Sequence, residues 1–184
     1  MKKVAPPKSN ILIMRYRKPR KISFFDKSYV APHGYSLIAM THGKDIRQLP
    51  HIGGKVSGSN AIYLVKMRFD ITWGVGKLIC EMENGNLSHE FGLNGVVGFE
   101  VKYPVEFFEK LNGITTNKIL VDDFKNLWLK HWGSLLQQTF SNNSIGYRQA
   151  SQVVTSLRDT IDAEMTISYS CAVVQLSTKD TNRV

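Results

Sequence analysis

Apolar positions in the first third of the chain come in short runs separated by turn-forming residues, the signature of strands. Residues 36–40 are such a run. Thr41-His42-Gly43-Lys44 follows as a turn in which Gly43 can take positive φ, and residues 46–49 are expected to return as the hairpin partner. Residues 1–10 hold two prolines and three lysines and read as a loose tail. Residues 51–60, with three glycines and two serines, read as a loop joining two halves. From residue 61 the alternation sharpens. Residues 61–69 predict a strand, and residues 70–79 continue it in extended form with a bend or bulge at Gly74 and Gly76. Asn84-Gly85 marks a hairpin turn. Residues 91–101 predict the next strand, with Gly95 and Gly98 permitting curvature or the close approach of a neighbouring layer.

At Pro104 the period changes from two to about three and a half. Pro104 is tolerated in a first helical turn, Val105, Phe108 and Leu111 share a face, and Asn112-Gly113 ends the segment. A second helix is expected over 122–140, capped by Asp122, with a stripe of Phe124, Leu127, Trp128, His131, Leu135 and Thr139. Trp132 lies one position off that stripe. Core packing is its favoured role, with a partner-facing role as the alternative. A third helix over 145–164 carries Ala150, Val153, Val154, Leu157, Ile161 and Met165 on one side. Residues 167–176 predict a final strand, and 177–184 a frayed tail. Strands followed by helices and a closing strand imply an α+β architecture.

Several weak elements in this order resemble the SPFH (band 7) family of stomatins, prohibitins and flotillins, closest to its bacterial virion-core-protein-like branch. The matching residues begin near Leu49-Pro50 and the Gly53–Lys55 loop. They run through Ile62–Val65 and Asp70-Ile71-Thr72-Trp73-Gly74 to residues 91–111 (FGLNGVVGFEVKYPVEFFEKL). Val101-Lys102-Tyr103-Pro104 stands where the family has a Val-x-Asp-Pro step, with Tyr103 replacing the aspartate. The resemblance covers about residues 45–178. It implies a curved, mostly antiparallel sheet with helices packed on one side and a closing C-terminal strand. It also implies a small strand-rich subdomain at 28–60 and a main subdomain at 61–178, between a basic arm (1–27) and a tail (179–184). A membrane anchor and a coiled coil, usual in that family, are not evident in these 184 residues. The family works by self-association, so a homo-oligomer or a related subunit is the implied partner.

Composition alters the picture mainly through charge. Hydrophobic residues make up 42% and charged residues 21%, ordinary for a folded protein, and the net charge is +9. Residues 1–27 hold nine Lys or Arg and one acid, Asp26, so along the sequence the positive charge gathers in the arm. Arg15, Arg17, Lys18, Arg20 and Lys21 are the candidate contacts to an anionic surface. Phe24 and Phe25 are candidates for shallow apolar insertion beside them. Nucleic acid is the alternative polyanion, with Tyr16 available to stack on a base and binding expected to be nonspecific and steeply salt-dependent.

No run approaches the ~18–20 apolar residues of a spanning helix. No signal peptide or lipidation motif is evident, so the expected location is the cytoplasm, peripheral on the inner face of a membrane. Cys80 and Cys171 do not form a Cys-x-x-Cys pair and read as buried free thiols. The histidines (His33, His42, His51, His89, His131) show no metal-ligand spacing, and His131 reads as a hydrogen-bonded core residue. Gly53-Gly54-Lys55 lacks the form of a phosphate loop. Neither a catalytic set nor a metal, cofactor or small-molecule substrate is expected, and the chain is read as a non-enzymatic scaffold.

Overall fold

The computed structural model describes residues 2–17, 27–41, 45–52, 54–56, 60–81, 88–111, 116–142 and 149–183. Its elements run β1 (Lys2–Lys3), β2 (Ile11–Arg17), β3 (Lys27–Val30), β4 (Tyr35–Thr41), β5 (Asp45–Gln48), β6 (Gly54–Val56), β7 (Asn60–Lys66), β8 (Arg68–Glu81) and β9 (Ser88–Val101). There follow α1 (Pro104–Lys110), β10 (Lys118–Leu120), α2 (Val121–Asn142), α3 (Ala150–Ser156), α4 (Arg158–Tyr169) and β11 (Cys171–Arg183).

The chain divides into two units, each assembled from separated segments. The first takes Met1–Phe69, Glu100–Val121 and Ile167–Cys171; the second takes Asp70–Phe99, Asp122–Thr166 and Ala172–Val184.

In the first unit, β10-β2-β7-β4-β5 form an antiparallel sheet and β1-β3-β6 a smaller one. Strand β7 is buried on both faces, which explains its unbroken apolar run. Ile62 and Leu64, with Leu37 and Ala39 of β4, pack against Tyr29 and Val56 of the smaller sheet. On the opposite face the Tyr63 ring meets Phe108 of α1 edge-on at 4.7 Å. The expected 36–40 and 46–49 hairpin is β4 and β5, with Ile38 opposite Gln48 and Thr41 opposite Asp45. Residues 2–3, read as part of a loose tail, pair with β3, and Gly54–Val56, read as loop, form a strand.

In the second unit the sheet order is β11-β9-β8. An added Cβ at Gly74 would lie near Asn94, and one at Gly92 near Val75, so β8 and β9 run antiparallel as the Asn84-Gly85 signal requires. The turn itself lies outside the described residues. Helix α2 buries Phe124, Trp128, Trp132, Leu136 and Phe140, one residue in every four, so the predicted stripe holds at Phe124 and Trp128 and the buried row lies one position beyond it from Trp132 onward. Trp132 is fully buried and faces no partner. Leu127, His131, Leu135 and Thr139 flank the row half-buried. The predicted third helix is two helices, α3 and α4. The latter runs to Tyr169, through what was read as the start of the closing strand. That strand is β11, which continues to Arg183 where a frayed tail was expected.

The expected SPFH architecture is overturned. The fold is mixed α+β, but its strands form three separate sheets, none closed into the curved, barrel-like shape that such domains show. The reason is physical: alternation along a chain fixes which face of a strand is buried, not which strand it hydrogen-bonds. Strands β2 and β7 pair with each other and not with the β8–β9 ladder.

Candidate functional site

Two polar clusters and one charge asymmetry are the features with chemical content. The first cluster lies where α4 ends. Ser170 adopts φ 56°, the left-handed conformation that closes many helices and that usually falls to glycine. Its hydroxyl donates to Glu106 Oε2 at 2.7 Å and accepts from Lys110 Nζ at 2.9 Å. Lys110 also donates to the Ile167 carbonyl at 2.7 Å, an acceptor the helix itself leaves unused. A serine beside a lysine and a glutamate is the arrangement of an activated nucleophile. Here Ser170 is only 1% exposed, so no substrate carbonyl reaches its oxygen. The cluster is a latch holding α1 to the end of α4. Ser170→Ala keeps the strained backbone and loses both bonds, an expected cost of about 1–3 kcal/mol. Ser170→Gly loses the same bonds but relieves about 1–2 kcal/mol of left-handed strain. Urea denaturation should place Ala below wild type, with Gly recovering part of the loss; Ala as stable as wild type would contradict the latch, and Ala as stable as Gly would contradict the strain.

The second cluster is His131 Nδ1 against the Glu164 carboxylate, between α2 and α4. Their side chains are 33% and 38% exposed, so His131 is not the core histidine expected from the sequence but part of a groove wall. Among the described residues no three His, Cys, Asp or Glu side chains are grouped to hold a metal ion. Cys171 is fully buried; the side chain of Cys80 lies outside the described residues.

The charge asymmetry widens when residues are sorted by fold unit. The first unit carries seventeen of the 24 Lys and Arg and five of the 15 Asp and Glu, a net charge of +12. The second carries the remaining seven and ten, a net charge of −3. Two of the five acids in the first unit are already engaged. Glu106 accepts from Ser170. Glu100 accepts hydrogen bonds from Lys102 and from Arg68, which hold its pKa down at about 2.

Strand register gathers part of this charge at one end of the unit. Arg17 stands opposite Ile62, Thr41 opposite both Asn60 and Asp45, and Lys27 opposite Val56. The connections 18–26, 42–44 and 57–59 therefore all leave from the same end. Arg17 and Lys27 stand at those strand ends, with Arg47 and Lys55 in the neighbouring strands and Asp45 opposite Thr41; the residues of the connections themselves lie outside the described ones. Arg47 Nη2 donates to the Lys55 carbonyl at 3.2 Å, joining two of these segments.

The residues singled out from the sequence fare differently. Arg15 belongs to the fold: its Nε donates to the Tyr63 hydroxyl at 2.9 Å and its guanidinium lies 5.3 Å from that ring's centre. Arg17 ends β2, with its backbone paired to β7. Lys18, Arg20, Lys21, Phe24 and Phe25 lie outside the described residues. Tyr16 packs edge-on against Tyr29 at 6.3 Å, with Lys2 Nζ 5.6 Å from its ring centre. Arg47 and Lys55 escaped sequence reasoning. Nothing local pointed to Lys55.

No protein-family model and no curated protein sequence matches this chain. Among the described residues no helix is long and apolar enough to cross a membrane.

Proposed function

We propose that the chain is a non-catalytic docking module whose first unit binds an anionic membrane surface through the basic end where β2, β3, β4, β6 and β7 terminate. The observation that carries this reading is the partition of charge, +12 in one unit and −3 in the other. Long-range attraction acts on that whole unit, and the strand ends that carry Arg17 and Lys27, beside Arg47 and Lys55, set its orientation. The sequence places Phe24-Phe25 beside Arg20-Lys21, a pairing of apolar and basic residues suited to the boundary between headgroups and acyl chains. The natural surface is the inner leaflet, whose acidic lipids give it a negative potential.

Nucleic acid is the weaker candidate. The aromatic ring needed for stacking, Tyr16, is committed to Tyr29.

Each cation near an acidic leaflet contributes about 1 kcal/mol. Neutralising four (Arg17→Gln, Lys18→Gln, Arg20→Gln, Lys21→Gln) should therefore weaken binding by up to about a thousandfold if all four touch the surface. Cosedimentation with phosphatidylserine-containing vesicles measures this. Arg15→Gln alone should instead reduce stability, because it removes the partner of Tyr63. Undiminished vesicle binding by the fourfold variant would refute the assignment of the basic end.

A further inference from the structure

We draw no further inference here: the strongest candidate, the outer edge of β8 in the three-stranded sheet of the second unit, which leaves Thr72, Gly74 and Gly76 exposed, carries none because nothing in the structure shows what covers it.

Discussion

Replacing Gly95 with alanine should cost about 3 kcal/mol or more, the upper end for forcing atoms into a packed core. For a chain of this size that lowers Tm by roughly 10 °C. Gly95 is at the middle of β9, and a Cβ built there would lie 2.8 Å from two ring atoms of Trp73 and collide with the backbone oxygen of Ser177. Neither obstacle is the free end of a flexible side chain. Trp73 is wedged against Trp128 and Trp132, and Ser177 is backbone in β11. The glycine is thus what allows β11 and an indole to close on the same point of β9. Gly76 in β8 provides the contrast, since an added Cβ there meets nothing within 4 Å and its φ is not in the left-handed region. Gly76→Ala should be neutral or stabilise by about 0.4–1 kcal/mol through the unfolded chain. Thermal melts of the two variants check the pair, and similar melting points would contradict the packing described for β9.

The second large effect is expected at Trp132. Trp128 and Trp132 stack at 5.7 Å with an interplanar angle of 18°, while Trp73 meets them edge-on at 6.1 and 5.5 Å. All three are at most 1% exposed. Truncating Trp132 to alanine should cost about 3–5 kcal/mol, a large share of the 5–15 kcal/mol that holds an ordinary domain folded. The three indole N–H groups find no oxygen or nitrogen acceptor among the described residues. Edge-to-face packing turns the positive rim of one ring toward the negative face of another and recovers part of that deficit. Trp132→Phe keeps a ring in place and removes an N–H that has no acceptor. Its cost should therefore fall well below that of Trp132→Ala. Urea denaturation measures both. Near-UV circular dichroism should lose the signal of the stacked pair in either variant. Equal destabilisation by Phe and Ala would mean that the ring contacts contribute little.

Sequence made some parts of this fold legible and left others hidden. The β4–β5 hairpin could be read because its two halves are adjacent in the chain and joined by a glycine turn. Pro104 announced α1 for the same local reason. Helix α2 was located, but its buried row was displaced by one residue. The apolar positions 127, 128, 132, 135 and 136, with His131 among them, form a band broader than one face, and only packing decides which row points inward. Trp132 shows the consequence, since its indole lies at the centre of an aromatic cluster. The sheets were the larger loss. Strand β2 pairs with β7, forty-odd residues onward, and with β10, a hundred onward. No local pattern encodes such partners.

The candidate site was half legible in the same way. A basic arm was visible in residues 1–27, yet Arg15 within it is committed to Tyr63 and Tyr16 to Tyr29. Arg47 and Lys55 join Arg17 and Lys27 only because strand register brings their segments to one end. The charge partition was hidden because the first unit draws on three separate stretches of chain. Counted along the sequence, residues after 27 are nearly neutral. Counted by unit, they divide into a positive and a negative share.

The most direct test of the docking account is binding of the intact chain to vesicles at physiological ionic strength. Vesicles containing about one-third phosphatidylserine are compared with pure phosphatidylcholine, and a duplex DNA of similar charge is added as competitor. Retention on the acidic vesicles alone, weakened by added salt and little affected by the DNA, is the predicted result. Equal binding to both vesicle types, or transfer of the protein to DNA at stoichiometric amounts, would contradict it.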